Sequence, residues 1–202
     1  MRKKKQPANP VRYLNNILDI QDYLKCSNER DYVLFVLGIA TGYRAGDLVK
    51  LKVRDVKEAL RNGYFYILEE KKEKSKSIKK ANLKPREAEV VPNLAKVLRN
   101  YIKNKKDYEF MFQSRKGINK HIQVSRVSRI LKDAGEYFGL KNISAHSLRK
   151  TYAYNIYIES DHNIEAVREL LNHSTAKYTR KYIGLDREQL SKYVNKLNGL
   201  IR

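Results

Sequence analysis

In the stretch TGYRAGDL, Arg44 and Asp47 stand three residues apart, directly after Gly42. The glycine permits a sharp turn, which would set the Arg44 guanidinium beside the apolar run that precedes it. In HSLRKTY, His146 and Arg149 are again three apart, so on a helix both project from one face. In LLNHSTAKYTRKYIGL, His173 closes an apolar run and Tyr182 follows nine residues later. A planar guanidinium binds two oxygens of an anion at once. An imidazole with a pKa near ~6.5 exchanges protons at neutral pH, and a phenol with a pKa of ~10 becomes a nucleophile as it gives up its proton. Taken singly, each feature is ordinary. An Arg–Asp pair at this spacing is usually a structural ion pair, a His–Arg pair usually decorates a surface, and in a chain with 15 tyrosines one more tyrosine usually packs.

The elements that must position these groups are readable from periodicity. Apolar residues at Ile17, Leu18, Ile20 and Leu24 form a helical stripe over Asn15–Leu24. Ser27 and Asn28 are good N-cap residues, with Glu29 and Asp31 in the turn that follows. The run from there to Ala40 is apolar on nearly all sides, which predicts a buried central helix ending near Gly42. The aromatic and β-branched stretch from Gly63 to Glu70 and a second from Ala88 to Val91, closed by Pro92, predict two antiparallel strands. Between them Lys71–Arg86 is a strongly basic loop, and Phe110–Phe112 could add a short strand. Stripes at Leu94, Val97, Leu98 and Ile102, and at Val124, Val127, Ile130, Leu131 and Ala134, predict amphipathic helices. Further helices are expected over His146–Glu159, Asn163–Leu171, Thr175–Tyr182 and Arg187–Leu197. The fold class is therefore α+β, mostly helical, with a small antiparallel sheet.

Composition narrows the partner. The chain has 202 residues, enough for one sizeable domain, with 42% apolar and 32% charged residues, the balance of a folded chain. Its 43 Lys+Arg against 22 Asp+Glu leave a formal charge of +21, more than solubility requires, so a polyanion is expected and nucleic acid is the leading choice. Cys26 is the single cysteine, which excludes an internal disulfide, fits a reducing cytoplasm and suggests a small buried apolar residue. The longest apolar stretch, Tyr32–Ala40, is far short of the ~20 residues of a membrane helix. The basic Met1–Lys5 has no apolar segment after it, so it reads as an arm able to touch phosphates rather than a signal peptide.

Together and in this order, the three motifs resemble the tyrosine recombinase family, also called phage integrases. Its catalytic domain carries an Arg in a TG-x-R-x-x-[ED]-L turn, a Lys in a β-hairpin, then H-x-x-R, then a His or Trp, and a Tyr about nine residues on. The match runs from about Ile17 to the C-terminus. It implies the catalytic-domain fold of that family over residues 15–202, preceded by a basic arm over 1–14. It also implies cutting and rejoining of double-stranded DNA through a 3′-phosphotyrosine. Arg44 and Arg149 would bind the charged phosphoryl oxygens, His146 would serve as acid/base, and His173 would donate a second hydrogen bond. Tyr182 would be the nucleophile. The resemblance places a lysine just after the first hairpin strand to protonate the departing 5′-oxygen. EEKKEKSK offers Lys71, Lys72 and Lys74 there, and setting the strand against the family pattern favours Lys72.

No P-loop, HExxH or acidic metal cluster is evident, and the four histidines show no zinc spacing. Neither metal, cofactor nor ATP is expected, since the phosphotyrosine bond stores the energy for rejoining. The family's upstream DNA-clamping domain is expected to be missing, which fits either an excised catalytic domain or a minimal enzyme. The tail DREQLSKYVNKLNGLIR keeps Leu190, Val194 and Leu197 on one helix face. Its partner is either its own domain or, as the resemblance implies, a neighbouring protomer in a homotetramer on DNA, with a monomer possible without DNA. Two rivals share parts of this pattern. A type IB topoisomerase reseals the same strand, and a DNA-binding module would regulate recombination without cutting, having lost one of the catalytic residues.

Overall fold

The structure, a computed structural model, describes residues 6–68, 85–185 and 195. They fall into two compact units, one within Met1–Tyr152 and the other within Ala153–Arg202.

The first unit is built round an almost wholly apolar helix. After a helix over Leu14–Ser27 (α1), Asn28 caps the next one by accepting a hydrogen bond from the Arg30 N–H. That helix, Glu29–Thr41 (α2), buries Val33, Leu34, Phe35, Leu37 and Gly38, as the run without a polar face predicts. It ends at Gly42, whose φ of 64° is the left-handed conformation common just past a helix. The stripe of α1 is Ile17, Ile20 and Leu24. Leu18, expected with them, is exposed, and so is Cys26, expected to be buried. Both lie off the face that α1 turns to α2.

Two helices follow that the periodicity reading passes over, a single turn over Ala45–Leu48 (α3) and a longer one over Val53–Asn62 (α4). The signals for α4 are Val53, Val56 and Ala59 at helical spacing, Gly63 just past its end, and Asp55, whose carboxylate accepts the Lys52 N–H at 2.8 Å. The antiparallel pair is present as Tyr64–Ile67 (β1) and Arg86–Glu89 (β2), with Phe65 opposite Ala88 and Ile67 opposite Arg86. The second strand lies two residues earlier than expected. Pro92 opens the following helix, Pro92–Ile102 (α5), since its missing N–H is no loss in a first turn. Phe110 makes only an isolated bridge to Lys52, and Gln113 another to His121, in place of a strand over 110–112.

A helix over Val124–Tyr137 (α6) buries the expected Val127, Ile130, Leu131 and Ala134. The next, Ala145–Glu159 (α7), begins in the first unit. Residues 6–13 lie against this unit, with Asn9 N–H on the Asn142 carbonyl at 3.0 Å and Val11 N–H on the Thr151 hydroxyl at 2.8 Å.

In the second unit the rest of α7 is followed by helices over Ile164–Leu171 (α8) and Ala176–Ile183 (α9). Asn163 caps α8 and Thr175 caps α9, both through side-chain oxygens that accept backbone N–H groups. Thr175 is thus a cap and not a helical residue, and α9 runs one residue past Tyr182 to a left-handed Gly184. The hairpin segment with Lys71, Lys72 and Lys74, and the expected tail helix apart from residue 195, lie outside the described residues. Among the described residues no helix is long and apolar enough to cross a membrane.

Candidate active site

In the first unit two arginines 105 positions apart (149 − 44) are drawn to one turn. Arg44 follows the Gly42 cap as the half-buried residue before α3. Arg149 is 3% exposed, and its Nη1 donates to the Gly42 carbonyl at 2.9 Å. That carbonyl is one of the groups a helix end leaves without an intrahelical partner, and the cation also suits the negative end of the helix dipole. The bond orients the Arg149 guanidinium two residues from Arg44. His146 stands exposed one turn earlier on α7.

Two glycines make the approach possible. A Cβ at Gly38 would lie 2.7 Å from Leu148 Cδ1, so the bare backbone of α2 lets α7 come close with the histidine and arginine on either side of that leucine. At Gly42 a Cβ would lie 2.3 Å from the ring of Tyr152. Burial raises the Tyr152 phenol above its ordinary value, against the pull of Arg86 and Arg149.

Arg86, which sequence reasoning missed, reaches the same turn from β2. It is 5% exposed and its Nη1 donates to the Thr41 carbonyl at 2.9 Å. Its guanidinium lies 4.4 Å from the ring centre of Tyr43 and 5.7 Å from that of Tyr152. The Tyr43 hydroxyl in turn lies 2.5 Å from the Arg86 carbonyl and 3.1 Å from that of Phe65. In the sequence Arg86 reads as the last residue of the basic loop, and only the strand that starts there turns its side chain inward.

In the second unit His173 sits just beyond the left-handed Asn172 that ends α8. Its ring meets that of Tyr182 edge to face at 5.1 Å and that of Tyr178 at 4.8 Å. Nδ1 of His173 lies 3.1 Å from the hydroxyl of the buried Thr179, which itself donates to the Thr175 carbonyl. A hydroxyl has one proton to give, so Thr179 accepts from His173 Nδ1–H and the tautomer is set. Thr179 is the second residue that the sequence did not reveal.

The arrangement supplies guanidinium groups on a rigid turn and, separately, an oriented imidazole against a phenol. Among the described residues no three His, Cys, Asp or Glu side chains gather as a metal ion requires.

Known proteins resemble this chain in sequence and fold. The chain is 31% identical over 183 residues to a Bacillus subtilis protein described as probable integrase/recombinase YoeC, covering 90% of this chain and 92% of that one. It is 30% identical over 175 residues to tyrosine recombinase XerC of Caldanaerobacter subterraneus, covering 83% of this chain but only 45% of that protein. The crystal structure of XerA recombinase superposes with a TM-score of 0.63 at 20% identity, over 96% of this chain and 65% of the other, which shows a shared fold. Residues 11–189 match the model of the phage integrase family, so this chain belongs to the phage integrase family of tyrosine recombinases.

Proposed function

We propose that the chain breaks and rejoins double-stranded DNA at specific sites, with Tyr182 as the nucleophile. The Tyr182 oxygen bonds to phosphorus, the bond from phosphorus to the sugar 5′-oxygen breaks, and a 3′-phosphotyrosine remains. Arg44 and Arg149 neutralise charge on the nonbridging oxygens. His146 takes up the phenol proton, His173 donates a second hydrogen bond to the phosphate, and Lys72 protonates the departing 5′-oxygen. Attack by the 5′-hydroxyl of a partner strand reverses these steps and reseals the backbone without ATP. Residues 15–202 form the catalytic domain in this reading, acting in the cytoplasm on DNA whose phosphates meet the basic surface and arm. A homotetramer assembles on DNA by exchange of C-terminal tails.

The observation that supports this reading best is the Arg149 hydrogen bond to Gly42, which ties the H-x-x-R helix to the Arg44 turn. The test is a duplex nicked so that the cut strand loses a short fragment, leaving the protein trapped on its 3′ end. A covalent protein–DNA band is expected, and its absence overturns the proposal. A second duplex with a free 5′-hydroxyl should then be joined in exchange, whereas resealing of the same strand alone would indicate topoisomerase chemistry.

A further inference from the structure

We infer that Arg86 is a positioning residue for the Arg44 turn, gripping the end of α2 so that the Arg44 guanidinium is held where the phosphate must bind. The inference rests on the role given to Arg44 above and concerns a side chain that does not itself touch DNA.

Thr41 and Gly42 are the last residue of α2 and its cap, and both of their carbonyls are taken by guanidinium groups. One belongs to α7 and the other to β2, elements that enter from different parts of the chain. Arg86 contributes more than a hydrogen bond. Its guanidinium carbon lies 4.4 Å from the ring centre of Tyr43, the residue immediately before Arg44, while its Nη1 reaches the carbonyl three residues before Arg44. Its own carbonyl lies within reach of the Tyr43 hydroxyl. The turn is thus clasped at 41 and 43 by one residue, and at 42 by Arg149.

A buried cation is a costly way to obtain stability, because an apolar side chain of like volume often serves as well or better. An apolar residue between the Tyr43 and Tyr152 rings would fill the space but could not hold the Thr41 carbonyl. Lysine could hold the carbonyl but could not stack in plane while doing so. Only a guanidinium meets both demands, and both act on the backbone that carries Arg44. Small displacements of a positioned group cost large factors in rate, which is what the clasp prevents.

The test uses the full chain with Arg86→Lys and, should that variant fail to fold, Arg86→Gln, each checked by circular dichroism. Adduct formation on the nicked duplex is timed with an ordinary scissile phosphate and with a methylphosphonate, which carries no negative charge there and needs less from Arg44. The expected result is unchanged DNA affinity, cleavage of the phosphodiester slower by on the order of 10²-fold, and a much smaller deficit on the methylphosphonate, the pattern Arg44→Ala should also show. An Arg86 variant as fast as the unsubstituted protein, or one equally impaired on both substrates, overturns the inference. If the unsubstituted protein itself forms no adduct, the proposed function falls and the inference with it.

Discussion

The choice between two tyrosines is made at the level of single residues. Both Tyr178 and Tyr182 touch the His173 ring, so proximity does not separate them. They lie one turn apart on α9 with their rings stacked at 6.2 Å. Tyr178 is 51% exposed in the first turn, whereas Tyr182 is half-buried and precedes the left-handed Gly184 that ends the helix. In the proposed reaction, an exit of that kind would let the end of α9 swing the phenol on and off a phosphate. Tyr182→Phe should abolish the covalent adduct while Tyr178→Phe retains it, with the DNA-linked peptide read by mass spectrometry. An adduct that persists in Tyr182→Phe reverses the assignment. At Gly42, alanine would carry a left-handed penalty of about 1–2 kcal/mol and, against the Tyr152 ring, an overpacking cost of about 1–3 kcal/mol. A melting temperature lower by roughly 5–15 °C is expected for Gly42→Ala, and a change of under about 2 °C would show that the turn is not held as described.

Among elements, the β-hairpin carries the sharpest test. β1 ends at Ile67 and β2 resumes at Arg86, and the candidate Lys72 lies between them, outside the described residues. One lysine among 43 Lys and Arg adds little affinity, but a proton donor contributes about 10²–10⁴ in rate. Lys72→Ala should therefore cleave slowly while binding DNA almost normally. On a duplex with sulfur at the 5′ leaving position, which departs without a proton, the rate should recover. If it does not, Lys71 or Lys74 takes the role. The same hairpin shows why strand limits were misplaced by two residues. Ala88–Val91 has the right composition for a strand, but Pro92 is better used as a first helical residue than as a strand terminator.

For the whole molecule, the charge of +21 is spread along the chain and not gathered on one helix. Affinity for DNA should come mostly from phosphate contacts, with counterion release making it fall steeply with salt. A log–log slope near −0.9 for each phosphate neutralised is expected, measurable by fluorescence anisotropy at several salt concentrations. A flat dependence would mean that the basic surface serves something other than DNA.

Several features were legible in the sequence because they are local. The apolar run of α2, the stripes of α5 and α6, the caps Asn28 and Gly42, and each of the three motifs taken singly follow from residues within a few positions of one another. The pairing of His173 with Tyr182 was legible too, as a spacing of nine. The α4 stripe was equally local and was overshadowed by the hairpin that follows it. What only the tertiary structure decided is who satisfies the end of α2. Its carbonyls at 41 and 42 are held by side chains 45 and 107 positions away, and no periodicity links them. A helix end must find donors somewhere, but which arginines answer is set by how α2, β2 and α7 meet. That meeting turns Arg86 from one charge among many into part of the frame that holds Arg44.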